Sequence, residues 1–300
     1  MNGAISYVTG AIPNSSLVWF DRAGKRLTVA GPSGEYRNLE LSPDGRFVAF
    51  ERGSPADIWV LDIQKGLTSR FTSNAGADTS PVWSPDGRTI AFTTDRDGQG
   101  NIYERAFGVV GEDKLLLKTE GLKIAMDWSR DGRYLAYGLG LDVWAVPMSG
   151  DRQPLRITET PFSEKESRLS PDGRWIAYAS TESGRFEVYI QSFPKPGIKQ
   201  QVSTTGGIAP RWKRDGTELF YLAADGTLMA ASVNPTGSSL ELNTPSPLFQ
   251  TSLSFFTAVD PRTRAQYDVS TDGRFLMGVT PAEASTHVNV ILNWSAGQRR

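Results

Sequence analysis

One nine-residue pattern returns along this chain at an interval of about 42 residues, and it restricts the possible folds more than any other feature. Its copy at residues 42–50 reads Ser-Pro-Asp-Gly-Arg-Phe-Val-Ala-Phe. The glycine of the pattern falls at positions 3, 45, 87, 132, 173, 216 and 273, and the first and the last two copies are the weaker ones. Successive spacings are 42, 42, 45, 41, 43 and 57 residues. Self-similarity at a fixed period of this length indicates a repeat architecture.

The first four residues of the pattern suit a tight turn between two strands. Proline presets φ at the second position, aspartate is tolerated at the third, and glycine supplies a positive φ. The proline is replaced by Arg130, Arg214 and Thr271, whereas the glycine is present in every copy. A left-handed residue with a Cβ is costly. We therefore expect the glycine to be the residue that each turn requires.

Short runs of aromatic and β-branched residues flank each turn. In the second unit they cover residues 81–83, 89–92, 101–103 and 114–117. Four strands in about 42 residues are typical of one propeller blade. No long segment has a helical period, so a β/α fold is not expected. The sequence predicts an all-β fold: a β-propeller of four-stranded antiparallel blades, with residues 1–300 as a single domain.

The two ends of the chain decide the number of blades. Five units between Leu39 and Gln250 are complete, and each end adds three strand candidates: residues 4–9, 17–21 and 26–30, and residues 267–270, 274–280 and 288–294. The resulting 26 strands are two short of seven blades and two more than six blades need. Because there are seven copies of the turn, we expect seven blades, with six as the alternative. We also expect the N- and C-terminal strands to join and close the ring, because an open sheet edge invites aggregation.

The composition argues against several classes of function. The 32 basic and 33 acidic side chains give a net charge of −1, so we expect no nucleic-acid partner. No run of 18 apolar residues is present, so no membrane insertion is expected, and residues 1–5 lack the layout of a signal peptide. Cysteine is absent and His287 is the single histidine. We therefore expect no metal site and no cofactor.

The repeated Ser-Pro-Asp-Gly-x-x-Ile-Ala-Phe/Tyr pattern, together with x-Ile-Trp/Tyr-Val strands, resembles the TolB-like, WD-repeat-like propeller family. This family includes periplasmic TolB, the propellers of prolyl-oligopeptidase-type peptidases and the sensor-like tails of some bacterial serine/threonine kinases. Residues 17–24 and 290–294 resemble the terminal strands of propellers attached to receptor-type kinases. The resemblance implies a periplasmic or other extracytoplasmic location, in a larger signalling protein or a stand-alone TolB-like protein. No kinase motif occurs in this chain.

No catalytic set of residues emerges from the sequence. Gly-x-Ser-x-Gly is absent, and the only histidine, His287, falls in a predicted loop. The Asp/Gly-rich stretch 94–101 lacks the later glutamate of an EF-hand. We expect a non-enzymatic binding or scaffolding propeller whose partner is a protein, a peptide or a small ligand at the channel mouth. The alternative is a propeller enzyme of the lyase, lactonase or glycosidase type that uses carboxylates and a channel-bound metal ion.

Two sets of residues are candidates for binding. The first lies in residues 251–264, where the 57-residue gap breaks the period, and consists of Phe255, Phe256, Arg262 and Arg264. Aromatic and arginine side chains are frequent anchors of protein partners, although these phenylalanines could instead pack locally. The second set consists of residues expected to face the channel just before the first, innermost strand of each blade: Arg37, Asp78, Lys123, Lys165 and Arg211. Their mixed charges predict a polar channel without a strong preference for one ligand charge.

Tryptophans recur at equivalent places of the repeat. Trp83, Trp128 and Trp212 all precede the turn directly or by a single residue. Repetition at a structural position predicts packing between blades, since large aromatic side chains usually lie inside.

Overall fold

The computed structural model describes residues 4–9, 14–195, 197–236, 239–253, 266–280 and 287–292. The regular elements in these ranges are β-strands. In this part of the chain no helix is long and apolar enough to cross a membrane.

The strands are numbered along the chain. They are β1 (Ala4–Thr9), β2 (Ser16–Phe20), β3 (Arg26–Val29), β4 (Arg37–Leu41), β5 (Phe47–Arg52), β6 (Asp57–Asp62), β7 (Leu67–Arg70), β8 (Asp78–Trp83), β9 (Thr89–Thr94), β10 (Asn101–Ala106), β11 (Lys114–Leu117), β12 (Lys123–Trp128), β13 (Tyr134–Leu139), β14 (Asp142–Pro147), β15 (Leu155–Arg156), β16 (Glu164–Leu169), β17 (Trp175–Ser180), β18 (Glu187–Ser192), β19 (Lys199–Gln201), β20 (Gly207–Trp212), β21 (Glu218–Ala223), β22 (Thr227–Thr236), β23 (Ser239–Leu242), β24 (Ser246–Gln250), β25 (Tyr267–Val269), β26 (Phe275–Val279) and β27 (His287–Leu292).

Strands β4 to β23 form five consecutive blades, each an antiparallel sheet whose spatial order follows the chain. Blades 1 to 5 begin with β4, β8, β12, β16 and β20. In blade 5 the long strand β22 pairs with both β23 and β24, which lie along different parts of it. Blade 6 has the order β25-β26-β2-β3, so its inner strands come from the C-terminal part of the chain and its outer strands from the N-terminal part. The first strands of the blades contact one another in a cycle that returns from β25 to β4.

The described ring has six blades, so the expectation of seven is wrong, whereas the four-stranded antiparallel blades are confirmed. Strand β1, which follows the supposed turn copy at Gly3, pairs with β27 in a separate two-stranded sheet. Strands β1 and β27 are therefore the two predicted strands that a six-bladed ring does not need. The expected loop position of His287 is also wrong, since this residue begins β27. Six turn copies remain, and each closes the first hairpin of one blade.

Hydrogen bonds within the turn explain why its sequence repeats. Asp44 Oδ1 accepts hydrogen bonds from Ser42 Oγ at 2.6 Å and from the Arg46 amide at 3.0 Å. Ser42 Oγ accepts one from the Phe47 amide at 2.9 Å, and Gly45 has a φ of +71°. The same side-chain bonds recur in the turns that begin at Ser84, Ser129 and Ser170. In the turn that begins at Ser270 the serine again donates to the aspartate, but its Oγ accepts from the Arg274 amide, one residue earlier. The aspartates of these turns therefore shape the hairpins.

Apolar side chains bury themselves between neighbouring blades. One cluster joins Val82 and Ile102 of blade 2 to Leu135 and Tyr137 of blade 3, all of them fully enclosed. Burial of such side chains contributes about 1.5–3 kcal/mol each. The blades therefore hold one another in place through their faces.

Replacing Gly45 by alanine tests the conformational requirement of the turn. A Cβ at this position meets no atom within 4 Å, so the left-handed φ is the only obstacle. We expect Gly45→Ala to lower the free energy of unfolding by about 1–2 kcal/mol, measured by urea denaturation. Gly111→Ala is the matched control, because that glycine also has open space around its Cβ and does not have a left-handed φ. Equal stability of the two variants would contradict the interpretation.

Candidate binding site at the channel mouth

A cavity of about 260 Å³ opens where the six turns meet, and the face of the ring that carries these turns is here called the turn face. The second residue of each turn lines this cavity. These six rim residues are Pro43, Pro85, Arg130, Pro171, Arg214 and Thr271. Because all six blades contribute one rim residue, the cavity is the turn-face mouth of the central channel.

Deeper in the mouth lies a second set of equivalent residues, two positions before the first residue of each turn. Five of these six positions are charged and line the cavity, and they are here called the axial ring: Glu40, Asp127, Arg168, Arg211 and Asp268. The sixth position is Val82. Glu40, Arg168 and Arg211 are buried, and the side chains of the two aspartates are largely enclosed.

Irregularities in four of the first strands precede the positions of Glu40, Val82, Arg168 and Arg211. In β4, β8, β16 and β20, a residue with a left-handed φ stands four positions before the turn, and the pairing register with the second strand shifts there. These residues are Asn38, Ser80, Glu166 and Ala209. Such β-bulges change the direction of the side chains that follow them.

An ion pair crosses the channel between opposite blades. Arg168 of blade 4 donates from Nη1 and Nη2 to the two carboxylate oxygens of Glu40 in blade 1, at 2.7 and 2.8 Å. Its Nη1 also lies 3.4 Å from Asp127 Oδ1. Burial opposes the charge of Arg168, but the carboxylates of Glu40 and Asp127 outweigh it and raise the pKa of the guanidinium. Arg168 therefore stays charged.

Hydrogen bonds from the backbone of the next blade hold the two aspartates of the axial ring. Asp127 Oδ2 accepts from the Leu169 amide at 2.7 Å, and Asp268 Oδ2 accepts from the Leu41 amide at 2.8 Å. Burial raises the pKa of Asp127 to about 6 and also raises the pKa of Asp268. The neighbouring Glu40 adds to the rise for both aspartates.

The repeated tryptophans connect blades through their indole nitrogens. Trp83 donates to the Glu40 carbonyl at 3.0 Å and Trp212 donates to the Arg168 carbonyl at 3.0 Å, in each case from one blade to the preceding one. Trp128 instead reaches only the Gly132 carbonyl of its own turn, at 3.5 Å. All three indoles line the cavity, which gives the mouth apolar walls between its charges.

Arg211 differs from the other charged residues of the axial ring. Its Nη1 donates to the Pro210 carbonyl at 2.9 Å, and its Nε lies 3.6 Å from Asp268 Oδ1, beyond hydrogen-bond distance. Nε and Nη2 are buried and have no hydrogen-bond partner among the described residues. The guanidinium lies 5.4 Å from the centre of the Tyr267 ring.

Two arginines at the rim reach across the mouth. Arg130 Nη1 donates to the Arg214 carbonyl at 2.8 Å, and Arg214 Nη1 donates to the Pro43 carbonyl at 3.1 Å. Neither arginine has a carboxylate within ion-pair distance in the described part of the chain. Partial desolvation, followed by the charge of Arg214, lowers the pKa of Arg130.

The residues predicted to face the channel occupy different places. Arg211 lines the mouth, whereas the other four lie in the first half of their strands, away from the turns, and contact groups elsewhere. Arg37 donates to the Gly53 carbonyl, Asp78 pairs with Arg96, Lys123 is buried and donates to the Thr119 carbonyl, and Lys165 lies over the Phe186 ring. Burial, with a smaller effect of Lys118, lowers the pKa of Lys123.

The other candidates lie outside the described residues: Phe255, Phe256, Arg262 and Arg264. Four charged residues of the axial ring were not among the predicted ones: Glu40, Asp127, Arg168 and Asp268. Their signal is a constant offset of two residues from the start of the turn.

Fold and site together define a six-bladed antiparallel β-propeller with an arginine-rich channel mouth. Residues 3–139 match the family model described as the TolB beta propeller domain. The chain is similar to TolB-like propellers over this part of its length, and it shares their fold.

Known proteins resemble the chain over parts of their length. The uncharacterized peptidase YuxL of Bacillus subtilis is 27% identical over 172 residues, which are 55% of this chain and 25% of that protein. The Tol-Pal system protein TolB of Helicobacter pylori is 26% identical over 177 residues, 54% of this chain and 40% of TolB. The chain thus aligns with less than half of either relative. The structure of a putative TolB from Agrobacterium tumefaciens has the same fold, with a TM-score of 0.71 at 17% identity over 90% of this chain and 99% of that one.

Replacing tryptophan by phenylalanine tests the indole bonds between blades. Trp212→Phe removes the hydrogen bond to blade 4, whereas Trp128→Phe, at the equivalent half-buried position, removes only the long contact within its own turn. We expect Trp212→Phe to lower the free energy of unfolding by about 1 kcal/mol more than Trp128→Phe does. Chemical denaturation of both variants measures this difference, and equal losses would contradict the assignment.

The raised pKa of Asp127 predicts a pH dependence. Because the folded-state pKa is about 6 and the ordinary value is 3.8, the stability that Asp127 contributes is fully present below pH 3.8 and is lost as pH rises through about 6. A carboxyl carbon NMR titration should show a midpoint near 6 that is absent in Asp127→Asn. The difference in unfolding free energy between the two proteins should change over the same interval. A midpoint at or below 4 would rule out the buried assignment.

Proposed function

We propose that the chain is a non-catalytic binding propeller whose turn-face mouth receives a segment of a protein partner. The observation that carries this proposal is the composition of the mouth. It combines three tryptophan walls with arginine donors that the described residues leave without acceptors. Tryptophan and arginine, together with tyrosine, are enriched among the residues that dominate the binding energy near the centre of protein interfaces.

The size of the cavity supports a short peptide segment as the occupant. Typical small-molecule sites enclose about 300–1,000 Å³, and the mouth is slightly smaller, at about 260 Å³. It opens on the turn face and has room for one or two side chains. A segment that spans the rim and inserts a side chain would use both the exposed arginines and the enclosed floor.

The carboxylates of the axial ring do not favour the alternative of a metal-dependent propeller enzyme. Glu40 is paired with Arg168, and Asp127 and Asp268 accept hydrogen bonds from backbone amides. Within the described ranges, no group of three or more histidine, cysteine, aspartate or glutamate residues could hold a metal ion. The relative named as a peptidase aligns with this chain over 25% of the relative's own length. Its name therefore does not assign peptidase chemistry to this propeller.

The biological setting is part of the same proposal. The relative from Helicobacter pylori is named as a protein of the Tol-Pal system, which supports a protein partner in general. We propose an extracytoplasmic propeller, a single domain over residues 1–300, in a stand-alone TolB-like protein or a kinase-associated sensor. The insertion residues Phe255, Phe256, Arg262 and Arg264 stay candidates for a second contact.

Single cysteines can locate the binding face, because the chain has no native cysteine. We would attach an environment-sensitive fluorophore to Thr271→Cys at the rim or to Ser183→Cys in the hairpin between β17 and β18, on the opposite face. Both residues are exposed. The probe is a displayed library of 12-residue peptides selected on the chain. We expect selected peptides to change the fluorescence at position 271 saturably and leave position 183 unchanged. Absence of binders below about 1 mM, or a response at position 183 alone, would overturn the proposal.

A further inference from the structure

Arg211 has hydrogen-bonding capacity that its surroundings do not use. The side chain is 3% exposed, yet Nε and Nη2 have no hydrogen-bond partner among the described residues. A buried guanidinium with unsatisfied N–H groups is costly unless an acceptor arrives. Since Arg211 lines the cavity, that acceptor can come from a ligand.

Asp268 cannot supply this acceptor in its present position. Its Oδ2 accepts from the Leu41 amide and its Oδ1 from the Val269 amide, both at 2.8 Å. These two bonds hold the carboxylate with Oδ1 at 3.6 Å from Arg211 Nε. Asp268 therefore contributes part of the opposing charge, but it does not fill the hydrogen-bonding positions of the guanidinium.

The charges around the mouth favour one added negative charge. Four arginines, Arg130, Arg168, Arg211 and Arg214, stand against the three carboxylates of Glu40, Asp127 and Asp268, which leaves an excess of one positive charge. At the rim, Arg130 and Arg214 lie beside each other without an ion-pair partner in the described chain. This field attracts an anion towards the mouth.

We infer that the mouth contains a carboxylate-binding subsite, in which Arg211 at the floor and Arg130 and Arg214 at the rim bind an acidic group of the partner segment. This inference rests on the proposed function. A carboxylate matches the planar guanidinium through paired hydrogen bonds. The single negative charge of a carboxylate equals the excess positive charge at the mouth. A phosphate dianion would carry one charge more than this excess, and the three carboxylates of the mouth would repel that second charge. The carboxylate can belong to an acidic side chain or to a peptide C-terminus.

Pools of pentapeptides test the subsite even while the partner is unidentified. The four pools have mixed residues X at the outer positions: Ac-X-X-Glu-X-X-NH2, Ac-X-X-Gln-X-X-NH2, Ac-X-X-Gln-X-X-OH and Ac-X-X-phosphoserine-X-X-NH2. The fluorophore at position 271 reports binding. We expect the glutamate pool or the free-acid pool to bind at least tenfold more tightly than the amidated glutamine pool. Whichever of the two leads identifies the source of the carboxylate.

Variants assign the preference to the arginines. Arg211→Met should reduce the ratio of carboxylate to glutamine binding to near one, and Arg211→Lys should restore part of it. Arg214→Gln at the exposed rim should weaken the preference without the risk to folding that a buried change carries, and thermal unfolding monitors all variants. Arg37→Met is the matched control, because Arg37 lies outside the mouth and donates to the Gly53 carbonyl, and it should leave the ratio unchanged.

The outcomes separate this inference from the proposed function. Binding at position 271 with equal affinity for the carboxylate and amidated glutamine pools would overturn the carboxylate subsite and leave the binding mouth in place. A phosphoserine pool that binds more tightly than both carboxylate pools would also overturn it. Failure of every pool at position 271 would count against the proposed function itself. A ratio that persists in both Arg211→Met and Arg214→Gln would remove these arginines from the subsite.

Discussion

The pairing of β2 with β26 is the constraint on which the rest of the structure depends. Five residues of the N-terminal strand, from Ser16 to Phe20, align with Val279 to Phe275, and Leu17, Val18, Phe275 and Leu276 of these strands are fully buried. The pairing completes blade 6 from two distant parts of the chain and thereby covers the faces of blades 1 and 5. It also places Asp268 beside the Leu41 amide, so the axial ring forms only in a closed propeller.

Closure brings opposite charges together at the axis, where they are removed from water. A buried ion pair gives little net stability, because desolvation offsets the Coulomb attraction, but loss of one partner strands the other. The bond between Arg168 and Glu40 therefore fixes the distance between opposite blades more than it strengthens the fold. Asp127 and Asp268 are satisfied by amides of the next blade. Arg211 is the member of the axial ring whose donors stay unused in the described structure.

The repeat predicts the blades well because turn chemistry is local. In five of the six turns, serine, aspartate and glycine form hydrogen bonds within about five residues, so the spacing of the pattern indicates the hairpins directly. The number of blades is not local. Blade 6 draws its single turn from Gly273 and its outer strands from the N-terminus, so a degenerate motif at Gly3 could be mistaken for another blade. The pairing of β1 with β27 shows that the strand after Gly3 belongs to a separate two-stranded sheet and not to a blade.

The charged site was harder to predict, since the bulges break the alternation of side chains along the first strands. Looking for channel-facing residues just before each predicted first strand selects Arg37 and Lys165, which lie before the bulge. Counting back from the turn selects Glu40 and Arg168, which lie after it.

The positions that depart from the repeat therefore indicate the site, whereas the regular positions indicate only the fold. The second turn position tolerates substitution, because proline there contributes only a favourable φ and the glycine maintains the left-handed conformation. Arginine at positions 130 and 214 thus leaves the hairpins intact and places two guanidinium groups on the rim. The position two residues before the turn is equally independent of turn chemistry, and there the blades carry different charges. A repeat protein can vary its site at such positions while the fold stays the same.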